Sequence, residues 1–206
     1  MNAGLRLVVA TTNPNKLREI RGILRDTGVT VDGLDAFPAV AEPEETGATF
    51  AENARQKAIY YSSALGLTVV AEDSGLEIDG LGGEPGVQSA RYGGPAADTY
   101  PQKFALVYAG LSARGAMGSP ARFVCALAVA DGTNILYEAR GTIEGLVNDA
   151  PKGDGGFGYD PIFFYPPLGR TLAELDEGEK AAVSHRGQAF RRLHDHLASH
   201  PAWLRR

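Results

Sequence analysis

Apolar, β-rich runs alternate along this chain with segments in which apolar residues recur at helical spacing, and no other feature restricts the fold as much. The first run, residues 5–10, leads through a polar turn at residues 11–15 into a helix that we predict from Lys16 to Asp26, ended by Gly28. A strand, a loop and a helix therefore follow one another directly, which is typical of folds that pack helices against a sheet.

A second helix is expected between the capping box at residues 49–52 and Gly66, a typical helix stop. A short buried strand at residues 67–71 comes next, and Glu72 and Asp73 stand at its end. The remaining elements are a third helix capped by Asp98 or Thr99, a hairpin with arms at 122–130 and 135–140 that continues over 142–147, and a last helix capped by Ser184. Because the sequence contains neither an internal repeat nor a long linker, we expect one α/β domain over residues 1–206, with a mixed sheet and flanking helices.

Glycines are concentrated in two stretches of the chain. Of 26 glycines, seven fall in residues 75–94 and seven in residues 141–169. Glycine lets the backbone adopt left-handed conformations and approach other groups closely. These stretches therefore predict long loops, and they would allow the chain to pass close to a flat, charged ligand.

Composition excludes several classes of partner. With 20 basic and 25 acidic side chains the formal charge is −5, so we expect neither non-specific nucleic-acid binding nor attachment to an anionic membrane. Met1 to Gly4 does not open a signal peptide, and no apolar stretch is long enough for a membrane span. The single cysteine, Cys125, lies in an apolar run and is expected to be buried and unreactive. The sequence thus predicts a soluble, cytoplasmic protein.

The first loop and helix form a candidate phosphate site. Thr11, Thr12 and Asn13 precede Lys16 in the first helical turn, and a helix N-terminus with free N–H groups attracts anions. The alternative is an ordinary polar turn. The glycine spacing of a nucleoside-triphosphatase phosphate loop is absent.

Carboxylates supply the second candidate site. Glu72 and Asp73 are neighbours on a strand end, so their side chains point to opposite faces and only one of them easily faces a given site. That carboxylate could ligate Mg²⁺ or act as a general base, or it could simply close an Asx turn. Upstream, Glu42, Glu44 and Glu45 form either a solvated loop or part of a metal site.

A third candidate lies near the C-terminus. Residues 153–161 combine four glycines with two aromatic rings and Asp160, which suits a loop stacked on a nucleobase, although a structural loop is the alternative. Lys180 and residues 184–186 place cations around a helix start, where they need either a bound anion or an ion pair with Glu177 or Glu179. His194, His196 and His200 are interpreted as surface residues.

The order of these motifs resembles the inosine triphosphate pyrophosphatase family, the XTP/dITP diphosphatases. The matching motifs, which extend over nearly the whole chain, are Thr11-x-Asn13-x-x-Lys16, Glu44-Glu45-Thr46-Gly47, Thr49-Phe50-x-Glu52-Asn53-Ala54, Asp73-Ser74-Gly75-Leu76, Pro85-Gly86-x-x-Ser89-Ala90-Arg91-Tyr92, Gly155-Gly156-Phe157-Gly158-Tyr159-Asp160-Pro161 and Glu179-Lys180-x-x-x-Ser184-His185-Arg186-Gly187. The sequence departs from the family at Thr12, where Gly is frequent, and Pro14 removes a backbone donor.

The resemblance implies hydrolysis of ITP, dITP or XTP to the monophosphate and pyrophosphate, which cleanses the nucleotide pool. It implies Mg²⁺ dependence, a homodimer, and an elongated two-lobed fold with the active site in the cleft between the lobes. Asp73 would be the proton acceptor and a metal ligand, with Glu44, or its neighbour Glu45, as the second metal ligand. The residues implied to bind substrate are Thr11, Thr12, Asn13, Pro14, Asn15, Lys16, Lys57, Ser74 and Lys180 for the phosphates and sugar, and Phe157, Gly158, Tyr159, Asp160, His185 and Arg186 for the base.

Two other functions stay open from the sequence. A Maf-like pyrophosphatase shares the general architecture but acts on dTTP or UTP. A nucleotide-binding sensor would bind without turnover, although the set of Asp73, Glu44 and Lys16 favours an enzyme.

Overall fold

The computed structural model describes residues 5–25 and 27–199, which form one seven-stranded sheet and five α-helices. The strands are β1 (Leu5–Ala10), β2 (Val29–Gly33), β3 (Thr68–Ile78), β4 (Pro120–Asp131), β5 (Asn134–Val147), β6 (Phe163–Tyr165) and β7 (Arg170–Thr171). The helices are α1 (Pro14–Ile23), α2 (Phe50–Leu65), α3 (Tyr100–Ala113), α4 (Glu177–Val183) and α5 (His185–Ser199). None of the described helices is long and apolar enough to cross a membrane.

The sheet is mixed, as the sequence predicts. Its strand order is β2-β1-β3-β4-β5-β6-β7. β1 runs parallel to both β2 and β3, with Val8 opposite Val69. β6 is antiparallel to β5 and to β7. The predicted α/β class with a mixed sheet and flanking helices is therefore confirmed.

The chain forms two compact units, each with its own apolar core. Unit 1 comprises residues 1–73, 125–141 and 185–206, and unit 2 comprises residues 74–124 and 142–184. Within unit 1 the described core joins β1 and α1 to α5, and its fully buried members include Leu7, Ile20, Phe190 and Leu193. Within unit 2 the described core includes Leu76, Ile78, Val107, Leu111, Ile162 and Leu172.

Helix α1 begins two residues earlier than predicted. Asn13 is its N-cap and Pro14 its first residue, a position that tolerates proline because the missing N–H has no partner within the helix. The helix ends at Ile23, before the end that we predicted at Asp26. Asp26 itself lies outside the described residues.

Helix α2 confirms the prediction at both ends. Thr49 and Glu52 form the capping box, and Gly66 ends the helix in a left-handed conformation with φ 66°. The predicted apolar face is buried at Ala54, Ala58 and Tyr61.

The strand after α2 does not end at residue 71. β3 continues to Ile78, because Leu76 and Ile78 bury their side chains in the core of unit 2. Glu72 and Asp73 therefore lie inside a strand, which excludes the alternative of an Asx turn at its end.

The later elements largely follow the sequence. Thr99 rather than Asp98 caps α3, β4 and β5 are neighbours in the sheet, and α5 begins immediately after Ser184. The sequence pattern did not reveal the short elements β2, β6, β7 and α4.

Candidate active site

The loop between β1 and α1 is organised by Asn13. Its side-chain oxygen accepts hydrogen bonds from the backbone N–H groups of Asn15, at 2.9 Å, and Lys16, at 3.3 Å. The Thr11 hydroxyl in turn accepts from the N–H of Asn13 at 3.2 Å. The expectation of free N–H groups is therefore wrong for Asn15 and Lys16, because the cap already uses them. The exposed Thr12 hydroxyl donates to Glu42 at 3.3 Å.

The ammonium of Lys16 points to a buried carboxylate on β3. It lies 3.0 Å from Oε1 of Glu72, whose side chain has no exposed surface. The same oxygen accepts from Nη2 of Arg186 at 3.3 Å, and Arg186 also forms an ion pair with Glu19 of α1. Two cations and two carboxylates thus form one network within unit 1, in which Glu72 and Arg186 are buried and Lys16 and Glu19 are partly exposed.

Glu72 stays ionised in this network. Burial alone would raise the pKa of its carboxyl, but the positive charges of Arg186, Lys16 and Lys57 outweigh burial and hold that pKa well below its usual range. The thiol of Cys125 donates to the second oxygen of Glu72 at 3.5 Å. Burial and this carboxylate raise the pKa of the thiol, and Cys125 is buried, as predicted.

Asp73 belongs to a second, separate cluster. Nδ2 of Asn53 donates to its Oδ2 at 3.0 Å, and the ammonium of Lys57 lies 3.4 Å from its Oδ1. Asn53 and Lys57 are one helical turn apart on α2, so both face β3. Burial raises the pKa of Asp73, and the attraction of Lys57 and Lys16 offsets only part of that effect. A carboxylate with a raised pKa is a better proton acceptor.

Glu45 joins this cluster through Lys57. Its carboxylate accepts from the Lys57 ammonium at 2.7 Å, whereas Glu44 is exposed. Burial would lower the pKa of Lys57, but Asp73 and Glu45 outweigh it and raise that pKa. Lys57 therefore remains a cation between two carboxylates.

The donor set of Asp73 and Glu45 fits Mg²⁺. Both are hard oxygen ligands, and a cationic group already lies within bonding distance of each. No group of three or more His, Cys, Asp or Glu side chains in the described part of the chain is arranged to hold a metal. A pair is sufficient in principle, because Mg²⁺ is commonly bound by one or two carboxylates together with substrate phosphates.

In unit 2, Asp160 organises the glycine-rich loop. Its Oδ2 accepts from the backbone N–H of Phe157 at 2.7 Å and from the ammonium of Lys180 at 2.5 Å. That ammonium also lies 4.9 Å from the centre of the Phe157 ring. A Cβ at Gly156, where φ is 66°, would lie 2.1 Å from the Asp160 carboxylate, so glycine is required for this contact. The half-buried Gly158 also has a positive φ.

Two residues in this region have contacts that the sequence did not predict. The ammonium of Lys180 forms an ion pair with Asp160. Tyr159 is 2% exposed, lies edge-on to Tyr100 and donates its hydroxyl to the Ser89 carbonyl at 3.0 Å, so its ring is a core contact.

The other predicted site residues occupy different environments. Ser74 is half-buried on β3 in unit 2, and His185 is buried at the start of α5 in unit 1. His194 contacts Asp195, and His196 stacks on Tyr137 with ring centres 4.1 Å apart. His200 lies outside the described residues.

Sequence reasoning missed two side chains of these clusters, Asn53 and Glu19. Asn53 and Lys57 are spaced by four residues on α2, and that spacing could have identified Asn53 as a partner of the same strand. Glu19 lies three residues after Lys16 on α1, which places both on one helix face. No sequence signal distinguishes Glu45 from Glu44.

Comparisons with known proteins cover nearly the whole chain. Residues 7–196 match the model of the Ham1 family. A dITP/XTP pyrophosphatase of an Exiguobacterium species is 47% identical over 189 residues, 92% of this chain and 95% of that protein. A dITP/XTP pyrophosphatase of Thermus thermophilus is 48% identical over 197 residues, 94% of this chain and 92% of that protein.

Solved structures agree with these sequence matches. A HAM1 protein from Coxiella burnetii has a TM-score of 0.85 and 40% identity, covering 95% of this chain and 99% of its own. A nucleoside-triphosphatase, or dITP/XTP pyrophosphatase, from Mycobacterium abscessus has a TM-score of 0.71 and 40% identity, covering 92% of this chain and 98% of its own. These matches show that the chain belongs to the Ham1 family.

Proposed function

We propose that this protein hydrolyses the non-standard purine nucleoside triphosphates ITP, dITP and XTP to monophosphate and pyrophosphate. Support comes from relatives named dITP/XTP pyrophosphatases that are 47% and 48% identical over more than nine-tenths of the chain. The observation that carries the proposal is the cluster of Asp73, Lys57 and Glu45, in which a buried carboxylate with a raised pKa adjoins a cation and a second carboxylate.

Asp73 is the proton acceptor in this proposal. A water oxygen attacks the α-phosphorus, the bond from that phosphorus to the oxygen bridging the β-phosphate breaks, and Asp73 takes a proton from the water. Asn53 fixes the carboxylate by its 3.0 Å hydrogen bond. Because little covalent chemistry is needed in phosphoryl transfer, the protein mainly positions the reactants and neutralises their charge.

Nucleotide pyrophosphatases generally need a divalent metal ion, and we propose Mg²⁺ for this protein. Asp73 and Glu45 would hold it, with Glu44 as the alternative second ligand. Bound there, the metal would neutralise phosphate charge and stabilise the pyrophosphate that leaves. Lys57, which bonds both carboxylates, would keep them in place and contribute a further positive charge.

The phosphates would be held by Lys16 with the Asn13-capped helix start and by Lys57. In unit 2, Phe157 would supply a ring that stacks on the purine. Asp160 accepts a hydrogen bond from the backbone N–H of Phe157 and forms an ion pair with Lys180. Base selection would depend on the C6 carbonyl of inosine and xanthine, which accepts hydrogen bonds where adenine donates them. The homodimer, the single domain and the cytoplasmic setting, where nucleotides are used, stay proposals.

A panel of triphosphates in Mg²⁺ tests the proposed function. The expected result is monophosphate plus pyrophosphate from ITP, dITP and XTP, with little product from ATP, GTP or UTP. Asp73→Asn is the matched inactive control, because it keeps the shape of the side chain and removes the proton acceptor. Diphosphate plus orthophosphate, or a preference for UTP, would contradict the proposal, and binding of ITP without any product would indicate a sensor.

A further inference from the structure

Helix α2 connects Asp73 to the acidic segment, residues 42–47, which lies outside any helix or strand. Two side chains of α2, one helical turn apart, each contact both Asp73 and this segment. The Lys57 ammonium lies 3.4 Å from Oδ1 of Asp73 and 2.7 Å from Oε1 of Glu45. Asn53 forms the second connection, and its amide carries no charge.

The amide of Asn53 forms hydrogen bonds at both of its ends. Its Nδ2 donates to Oδ2 of Asp73 at 3.0 Å, and its Oδ1 accepts from the backbone N–H of Gly47 at 2.8 Å. A backbone N–H can only donate and an ionised carboxylate can only accept, so the amide satisfies both partners in one orientation alone. Asn53 is 1% exposed, and water therefore competes little for either bond.

Gly47 allows the acidic segment to approach this amide closely. A Cβ at Gly47 would lie 2.6 Å from Oδ1 of Asn53 and 2.7 Å from Cβ of Glu52. The next backbone N–H, that of Ala48, donates to the Glu52 carboxylate at 2.7 Å. The end of the acidic segment is therefore held against the first turns of α2, with no room for a side chain. Because Glu45 lies only two residues before Gly47, this contact also limits where the Glu45 carboxylate can lie.

We propose that Asn53 is a positioning residue that holds Asp73 and the acidic segment at a fixed separation, so that the Asp73 and Glu45 carboxylates are in place before a metal ion binds. This inference rests on the metal site of the proposed function. Residues that orient metal ligands by hydrogen bonds affect metal affinity without touching the metal.

Lys57 cannot set this separation alone. Its ammonium is a point charge on a flexible stem, and a bound cation would compete with it for the same carboxylates. The bond from the Gly47 N–H to Asn53 involves neither a carboxylate nor a charge. It can therefore persist whether or not a cation is bound.

Hydrogen exchange of the Gly47 amide, followed by NMR on metal-free protein, tests the connection itself. Asn53→Leu removes both hydrogen bonds, whereas Asn53→Asp keeps an oxygen for the Gly47 N–H and removes the donor to Asp73. We expect exchange at Gly47 to become roughly tenfold faster or more in Asn53→Leu, and to stay within about threefold of the wild type in Asn53→Asp.

Binding of Mn²⁺, measured by electron paramagnetic resonance, tests the consequence for the metal. Mn²⁺ prefers the same oxygen ligands as Mg²⁺. We expect Asn53→Leu to weaken its binding by roughly 10- to 100-fold, because the acidic segment is no longer held. Asn53→Asp should bind Mn²⁺ no more weakly than the wild type, because the segment stays in place and a negative charge is added.

Gly47→Ala disturbs the acidic segment from the other side of the same bond. Its Cβ would meet Asn53 and Glu52, so we expect Mn²⁺ binding to weaken by about tenfold. The control is Arg55→Gln, which breaks the exposed ion pair between α2 and Glu138 and should change Mn²⁺ binding by less than about twofold.

Turnover of ITP at saturating metal separates the two ends of the amide. In Gly47→Ala the bond from Asn53 to Asp73 is kept, so kcat at saturating metal should lie within about fivefold of the wild type. In Asn53→Leu and Asn53→Asp it should stay reduced by roughly 10- to 100-fold, because Asp73 has lost its donor. A general loss of structure would lower kcat in Gly47→Ala as well.

Three results would each overturn the inference. They are unchanged Gly47 exchange in Asn53→Leu, Mn²⁺ binding that Asn53→Asp weakens as much as Asn53→Leu does, and full recovery of kcat in Asn53→Leu at saturating metal. If Asn53→Leu does not fold, the other two variants decide, because their predictions are opposite: Gly47→Ala loses metal affinity and keeps kcat, and Asn53→Asp keeps metal affinity and loses kcat.

The two proposals fail separately. A wild-type protein that binds Mn²⁺, with variants that show the expected exchange and affinity differences, but that does not hydrolyse ITP would refute the proposed function alone. A wild-type protein that hydrolyses ITP, with Asn53 variants that leave Gly47 exchange and Mn²⁺ binding unchanged, would refute the role of Asn53 alone.

Discussion

The two faces of β3 in unit 1 carry neighbouring carboxylates in opposite electrostatic settings. Glu72 has no exposed side-chain surface, yet Arg186 and Lys16 hold its pKa low. Asp73 is slightly more exposed, and yet burial raises its pKa because Lys57 compensates only in part. Depth of burial alone therefore does not decide the charge of a carboxylate; the number and closeness of its cations do.

These two adjacent residues therefore have different roles. Glu72 stays charged and ties β3 to α1 and α5 through Lys16 and Arg186, which is a structural task. Asp73 keeps a raised pKa beside Lys57, which suits proton transfer. Alternation along a strand makes the separation possible, since consecutive side chains point to opposite faces.

The largest change in stability that this comparison predicts is for Glu72→Gln. Glu72→Gln should lower the free energy of unfolding by about 3 kcal/mol, because the buried Arg186 loses the buried one of its two counter-charges. Asp73→Asn should change it by less than about 1 kcal/mol, because burial already disfavours the Asp73 charge. Urea unfolding of both variants at pH 7 measures the two values. Equal losses would show that the two carboxylates do not differ in structural role.

A smaller effect is expected on the pH dependence of turnover. Lys57→Gln removes the main attraction that lowers the pKa of Asp73, so that pKa should rise further. Because Asp73 accepts a proton only when ionised, the acid limb of kcat/KM should move to higher pH, and activity at pH 7 should fall roughly tenfold or more. The control is Lys152→Gln, which removes an exposed lysine paired with Glu174. If the acid limb of kcat/KM does not move, Lys57 does not control the ionisation of Asp73.

Local patterns predicted the parts of the fold that depend on local chemistry. The capping box at Thr49, the stop at Gly66 and the apolar face of α2 follow from short-range rules, and all three are present. β3 was predicted too short, because its continuation depends on Leu76 and Ile78 packing against residues distant in sequence. Contacts between residues distant in sequence decide where such a strand ends, and no local sequence pattern contains that information.

The candidate site shows the same limit. Asp73, Lys16 and Lys57 could be named from motif order, but the partners that set their charge come from distant parts of the chain. Glu72 and Arg186, for example, are 114 residues apart. The glycine-rich loop was expected to approach a ligand, and at Gly156 the structure also shows a close approach to Asp160 of the protein itself.

Saturating turnover of ITP by Asp73→Asn and Glu72→Gln, measured side by side on folded protein, tests the division between the two carboxylates most directly. We predict that kcat falls by about a thousandfold or more in Asp73→Asn, because the proton acceptor is lost, and stays within about tenfold in Glu72→Gln. Comparable losses of kcat in both variants, or a larger loss in Glu72→Gln, would contradict the account.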